Sequence, residues 1–226
     1  MLHFFCKYFF GRRQISYFVP RTCDIMPVFF QHQINETTRL GVWKIEETEE
    51  FFKSNVPQHR DVTHPHKRLQ HLAGRFLLQF LFADFPYDLV RIADTRKPFL
   101  PNAEFHFSIS HCSDFAAAIV SRHSRVGIDI ERPVEKINNI RHKFLSENDI
   151  RHFTSDNIQT LTLSWSVKEA VFKWYGDGGV DFREHIHITG HDPAKSEVKC
   201  YFEKTHQYLT AVYREFPGLT LVWVIS

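Results

Sequence analysis

Six consecutive residues constrain this chain more than any others: Val126-Gly127-Ile128-Asp129-Ile130-Glu131. A β-strand sends successive side chains to opposite faces. Val126, Ile128 and Ile130 therefore share one face, and Asp129 and Glu131 share the other. The apolar face calls for a core. The acidic face sets two carboxylates side by side, and these repel each other unless a cation sits between them. Hard divalent cations take oxygen ligands, and magnesium commonly completes its shell with water and substrate phosphate. Downstream, Trp165-Ser166-Val167-Lys168-Glu169-Ala170-Val171-Phe172-Lys173 puts Trp165, Glu169 and Lys173 on one helix face at i, i+4, i+8. The two segments together supply three carboxylates and two lysines, the inventory of a magnesium-assisted reaction on a phosphate ester.

The surrounding pattern is α+β. Thr38 to Ile45 alternates, and an acidic helix start follows from Glu46 to Phe52. Pro65 suits a first helical turn, and Leu69, Leu72, Phe76 and Phe80 form an apolar stripe behind it. Arg68 and Arg75 lie near one edge of that helix, which by spacing alone is a solvated edge. Phe105, Phe107 and Ile109 alternate with His106, Ser108 and Ser110, a strand that ends at Ser110-His111. Phe115 to Ser121 reads as the returning strand of a hairpin, with residues 122–125 a junction. Ser146-Glu147-Asn148-Asp149 has capping-box form with Asp in the final position. The helix containing Trp165 to Tyr175 stops at Gly176, and Trp165 reads as a packing residue. Alternating runs at His185–Thr189, Val198–Phe202, Tyr208–Arg214 and Leu219–Ile225 predict an antiparallel sheet. No internal repeat is visible in the sequence.

Composition narrows the partners. A chain of 226 residues, 43% hydrophobic and 24% charged, is an ordinary globular protein able to bury a sizeable core. A net charge of +2 argues against a dedicated nucleic-acid binder. Lys7, Arg12, Arg13 and Arg21 stand against Asp24 alone in residues 1–25, so the basic excess belongs to the leading segment. That segment makes a poor signal peptide, and its charges interrupt any membrane span. Met26-Pro27-Val28 resembles an alternative start, so residues 1–25 are expected to be an extension outside the fold. Cys6, Cys23, Cys112 and Cys200 show no CxxC spacing, which suits a reducing cytoplasm and supports no zinc site. His64-x-His66 and His185-x-His187 lack a third ligand at zinc spacing and read as ordinary histidines.

Gly127-Ile128-Asp129-Ile130-Glu131 and Trp165-Ser166-Val167-Lys168-Glu169-Ala170-Val171-Phe172-Lys173 resemble the paired motifs of the 4′-phosphopantetheinyl transferase superfamily in its larger, pseudo-dimeric form. Arg96-Lys97-Pro98-Phe99-Leu100, followed by Phe105-His106-Phe107-Ser108-Ile109-Ser110-His111, is similar to a third family segment. The basic helix with Lys67-Arg68 and Arg75 is a weaker fourth. The resemblance covers roughly residues 60 to 185. It implies two similar α/β halves, each an antiparallel sheet packed on a long helix, in a pseudo-twofold arrangement with the active site in the cleft between them. The halves would be residues 26–123 and 124–226. It also implies magnesium-dependent transfer of the 4′-phosphopantetheine arm of coenzyme A to a serine of an apo acyl or peptidyl carrier protein, releasing adenosine 3′,5′-bisphosphate.

By that resemblance Asp129, Glu131 and Glu169 hold magnesium. Arg68, Arg75, Lys97, Ser110 and His111 contact coenzyme A phosphates, and Lys168 and Lys173 stabilise charge on the pyrophosphate and leaving group. Asp149 stands where the family commonly carries a Glu three positions after a Ser. That implies a metal-shell or base role, whereas the same stretch read by itself is an N-cap. A metal-bound water, Asp149 and Lys173 are the choices for the base, with Glu169 the central catalytic carboxylate. Cys112-Ser113 departs from the small or glycine-containing pair that follows the His in the family. The expected protein is a cytoplasmic monomer without nucleic-acid or membrane partners. Fatty-acid biosynthesis, polyketide and nonribosomal-peptide carriers all remain open as substrates. Two other readings stand beside the transferase: a non-catalytic relative that binds coenzyme A or carrier, and a metal-dependent phosphoesterase that needs no carrier.

Overall fold

Val28–Asn35 (β1) and Thr38–Lys44 (β2) form a hairpin, followed by two helices, Glu49–Asn55 (α1) and Pro65–Leu81 (α2). A two-residue pair, Arg91–Ile92 (β3) and Pro98–Phe99 (β4), leads to the hairpin His106–Cys112 (β5) and Phe115–Ser121 (β6). The computed structural model describes residues 28–56, 62–95, 97–153, 155 and 157–226. The expected extension over 1–25 lies outside the described residues, as does Arg96. β1, β2, β6 and β5 make one antiparallel sheet in that order.

Val126–Glu131 (β7) opens the second sheet. Short helices follow at Lys136–Ile140 (α3) and Glu147–Ile150 (α4), then the long helix Ile158–Tyr175 (α5) and a turn of helix at Phe182–His185 (α6). Ile186–Asp192 (β8), Glu197–Phe202 (β9), Gln207–Phe216 (β10) and Leu219–Ile225 (β11) complete it. The order is β7-β11-β10-β9-β8, antiparallel throughout, as the alternating runs predict. His185 ends α6 instead of opening the strand, because Asp181 caps the Arg183 and Glu184 amides and turns the chain there.

Each sheet buries one face under a long helix. α2 and α1 cover the first sheet, with Trp43 edge-on to Phe76 and Phe80. α2 is buried over a wider arc than the apolar stripe predicts. Ala73, Gly74, Leu77, Leu78 and Leu81 face the sheet, while Leu69, Phe76 and Phe80 pack at its margin. Arg75 consequently lies inside instead of on a solvated edge, 8% exposed. α5 covers the second sheet through Val167, Ala170, Val171 and Trp174. α5 starts seven residues before Trp165, capped by Asn157, and ends on Gly176 in the left-handed region (φ 83°).

A third core joins the two sheets. Leu40, Val42, Ala117 and Ile119 of the first meet Val126, Ile128, Ile130, Leu219, Leu221 and Trp223 of the second. Strands at that seam are covered on both faces, which is why Phe115–Ser121 reads as a run of small and branched apolar residues with little exposure. Among the described residues no helix is long and apolar enough to cross a membrane.

Candidate active site

β7 is an edge strand of its sheet and β5 an edge strand of the other. Two edges that meet must satisfy their outward backbone groups. Here serine hydroxyls do so: the Ile128 N–H donates to Ser108 Oγ (3.2 Å) and the Ile130 N–H to Ser110 Oγ (3.3 Å). The apolar side chains of β7 point into the seam between the sheets, so Gly127, Asp129 and Glu131 face α5. Gly127 lets α5 come close. A Cβ there would overlap the Ala170 carbonyl and the Trp174 backbone. That proximity brings Glu169 and Lys173 over the acidic face of β7.

Asp129 is 2% exposed. Its Oδ1 accepts hydrogen bonds from Lys173 Nζ (2.6 Å) and Ser110 Oγ (2.8 Å), and Lys173 also donates to Ser110 Oγ (2.9 Å). Its Oδ2 is buried with no hydrogen-bond partner. Burial, then the charge of Asp129, pushes Glu131 up to about 7 against the pull of Lys173 and a hydrogen bond from the Trp165 side chain. Burial likewise pushes Glu169 up to about 7, with Lys173 opposing and Asp129 reinforcing. Three carboxylates therefore crowd one ammonium, and none gains an ordinary carboxylate's hydration.

This chemistry fits a divalent cation. A buried carboxylate oxygen with no donor costs about 1–3 kcal/mol, and two neighbours held above their usual range are relieved by positive charge. Among the described residues, no three His, Cys, Asp or Glu side chains stand together as a ready-made metal cage. Magnesium does not need one, since it is commonly held by one or two carboxylates together with water and substrate phosphate.

Lys97 reaches the same place from the first half of the chain. Its Nζ donates to the Lys173 carbonyl (2.6 Å) at the last turn of α5, where a cation opposes the helix dipole favourably. Burial, then Arg125, pushes the Lys97 ammonium down. Gly176 makes room for it, because a Cβ there would collide with Lys97 Nζ. A cavity of 240 Å³ opens beside this contact, lined by Lys97, Pro98, Phe107, Ser108, Phe172 and Lys173. A second, of 340 Å³, shares Lys97 and adds His106, Arg125, Trp174 and Tyr175.

The other expected residues lie elsewhere. Lys168 is fully buried, and its Nζ donates to Asp149 Oδ2 (2.8 Å) and to the Phe182 (2.8 Å) and Ile186 (2.7 Å) carbonyls. Asp149, fully buried, accepts from the Ser146 amide and Lys168 on Oδ2 and from the Ile188 amide on Oδ1. The two are a separate cluster that ties α4 to α5 and β8, and the capping box at Ser146 is present. Arg68 pairs with Glu49 (2.8 Å), whose carboxyl is held down to about 2 by hydrogen bonds from Arg68 and Lys53. Arg75 donates to the hydroxyl of Tyr87 (2.8 Å), itself buried at 2% exposure. His111 is exposed at the end of β5. Ser113 (φ 47°) and Asp114 form the two-residue turn after Cys112, and Gln70 holds the Ser113 carbonyl (2.7 Å). His66 pairs with Asp114 (3.0 Å) and His187 with Glu203 (3.4 Å).

Sequence reasoning missed three contributors. Ser108 was visible only as an alternating polar residue. Trp165 opposes the rise of Glu131, which its shared face with Glu169 could have signalled. Gly127 serves helix approach, a role invisible until α5 is placed over it.

Residues 125–218 match the model of the 4′-phosphopantetheinyl transferase superfamily. Enterobactin synthase component D of Salmonella austin is 30% identical over 133 residues, covering 57% of this chain and 53% of that protein. The protein of the same name from Escherichia coli (strain K12) is 33% identical over 113 residues, 47% of this chain and 54% of its own. The 4′-phosphopantetheinyl transferase gsp of Aneurinibacillus migulanus is 32% identical over 111 residues, 47% of this chain and 46% of its own. The chain spans about half the length of the curated relatives it matches. The segment so matched contains β7 and α5, the two elements that carry Asp129, Glu131, Glu169 and Lys173, and over it the chain is similar to the 4′-phosphopantetheinyl transferase superfamily.

Proposed function

We propose that the protein transfers 4′-phosphopantetheine from coenzyme A to a serine hydroxyl of an apo carrier protein, with magnesium. The observation that carries this reading is the buried, donor-free Oδ2 of an Asp129 whose Oδ1 pairs with Lys173, in a cluster where burial raises Glu131 and Glu169. In this reading the chain works as two halves, 26–123 and 124–226, in a pseudo-twofold arrangement, and as a monomer in the cytoplasm. Asp129, Glu131 and Glu169 would hold the metal, which supplies neutralisation of phosphate charge when bound.

The chain's own residues do the rest. Phosphoryl transfer asks a protein mainly for positioning and charge. The serine oxygen gives up its proton to solvent and forms a bond to the β-phosphorus as the bond to the adenosine 3′,5′-bisphosphate oxygen breaks, and the bisphosphate leaves with that electron pair. Lys173 stands where it can meet charge growing on the bridging oxygen. Lys97, which lines both cavities, and Ser110, hydrogen-bonded to Lys173, would bind the phosphates, as would His111, exposed at the end of β5. Lys168 and Asp149, buried and saturated with hydrogen bonds, support the helix that carries Glu169 and Lys173. Arg68 and Arg75 reach phosphate only by leaving Glu49 and Tyr87. An acidic carrier would dock by charge and a few apolar contacts. One matched relative's name makes it a component of an enterobactin synthase, so a peptide-synthetase carrier is the first substrate to try, with a fatty-acid carrier beside it.

The test is intact-mass spectrometry of each apo carrier incubated with the protein, coenzyme A and magnesium, with and without EDTA. The expected result is a gain of one phosphopantetheine group that needs the metal. Cleavage of coenzyme A with both carriers unmodified would instead identify a phosphoesterase. Intact coenzyme A and unmodified carriers would point to a binding relative or to a specific carrier other than the two tried.

A further inference from the structure

Ser110 touches both the seam between the sheets and the acidic cluster. Its Oγ accepts the Ile130 N–H (3.3 Å) and a Lys173 N–H (2.9 Å), which leaves its own proton for Asp129 Oδ1 (2.8 Å). Lys173 occupies the same Oδ1 (2.6 Å). Both donors therefore converge on one carboxylate oxygen, and the other, Oδ2, is left buried without one. The two oxygens of a carboxylate are equivalent, so what must be set is the plane of the group, and with it the direction in which the unbonded oxygen points. The backbone of β5 helps to set it. Ser110 is 6% exposed and fixed by its ladder to Ala117, and its hydroxyl is oriented by the two N–H groups it accepts.

We infer that Ser110 is a positioning residue that orients Asp129, presenting Oδ2 as the oxygen free for a divalent cation, instead of acting only as a direct phosphate contact. The inference rests on the transferase reading given above. It gives the first sheet a share in a metal site whose ligands come from β7 and α5. Outer partners of this kind are worth about 10- to 100-fold in metal affinity.

Ser108 is the matched control. Its hydroxyl accepts the Ile128 N–H (3.2 Å), the same edge contact two residues earlier. The experiment is a Mn2+ titration followed by electron paramagnetic resonance, with coenzyme A present and carrier absent, on wild type, Ser110→Ala, Ser110→Thr and Ser108→Ala. Thermal melts and metal-free coenzyme A binding are measured alongside. Ser110→Ala is expected to weaken Mn2+ binding about tenfold or more, and Ser110→Thr, which keeps the hydroxyl, to restore it. Ser108→Ala, which loses an edge contact but none to Asp129, is expected to lower the melting temperature comparably and to weaken Mn2+ binding clearly less than Ser110→Ala. Should Ser110→Ala not fold, the inference is decided by Ser110→Thr and Ser110→Cys. Thr is then expected to match wild type and Cys, a weak donor, to lose affinity. Equal Mn2+ affinity in wild type and the hydroxyl-deficient variant overturns the inference. So does a loss of metal-free coenzyme A binding with Mn2+ affinity intact, which would make Ser110 a phosphate ligand. A wild type that takes up no Mn2+ overturns the transferase reading itself.

Discussion

Asp129 has one oxygen saturated with hydrogen bonds and one with none. Glu131 and Glu169 stand beside it with raised affinity for protons, because burial and neighbouring negative charge both disfavour their ionised forms. Such a cluster is a poor way to stabilise a fold and a good way to bind a cation. The two properties separate in a single isosteric change. Glu169→Gln removes a carboxylate from the crowd without altering its size. Transfer to the carrier is expected to fall by about three orders of magnitude, the scale of several kcal/mol of lost charge stabilisation. The melting temperature is expected to stay level or rise, since repulsion with Asp129 is relieved. Carrier mass spectrometry and a thermal melt check both, and normal turnover in this variant would remove Glu169 from the site. At this scale Asp129, Glu131, Glu169 and Lys173 were legible in the sequence, because alternation and helical spacing alone place them on defined faces. Lys168 was not, and Asp149 was legible only as the capping-box residue it proves to be. Periodicity does not reveal that all the ammonium donors of Lys168 are consumed by Asp149, Phe182 and Ile186.

At the scale of elements, the site depends on how near α5 comes to β7. Gly127 sets that distance, with the Ala170 carbonyl where a side chain would begin. Gly127→Ala is expected to cost about 1–3 kcal/mol or more, as overpacking does. It should also reduce transfer, because any shift of α5 carries Glu169 and Lys173 away from Asp129. Gly190→Ala is the comparison. A Cβ there meets nothing closer than Lys199 at 3.9 Å, so its effect should be within about 0.5 kcal/mol. Urea unfolding monitored by circular dichroism measures both, and equal stabilities would refute close approach as the function of Gly127. The strands at Phe115–Ser121, Val126–Glu131 and Leu219–Ile225 have the bounds the sequence predicts. The burial of α2 does not follow its apolar stripe. α1 and the sheet cover it from two sides, and a stripe reports only one.

The whole molecule is held together at the seam. Leu40, Val42, Ala117 and Ile119 have no core without Ile128, Ile130, Leu221 and Trp223, and the reverse is equally true. Lys97 and Ser110 add polar ties across the same boundary. Unfolding in urea is therefore expected to be one cooperative transition. Trp43 reports the first core, and Trp165 and Trp174 the second. Variants retaining fluorescence from one side only should give coincident midpoints, and midpoints that separate would show that the sheets unfold independently. The sequence alone determined which residues carry the charge, which faces they occupy, and that antiparallel strands and two long helices would form, because these follow from backbone periodicity and local stop signals. The tertiary structure alone decided that β7 and β5, edges of different sheets, lie side by side, that Ser110 meets Asp129 and Lys97 meets the end of α5. Those contacts join residues tens of positions apart. Nothing local encodes them, since they arise only when three cores close together and each edge finds a partner for its hydrogen bonds.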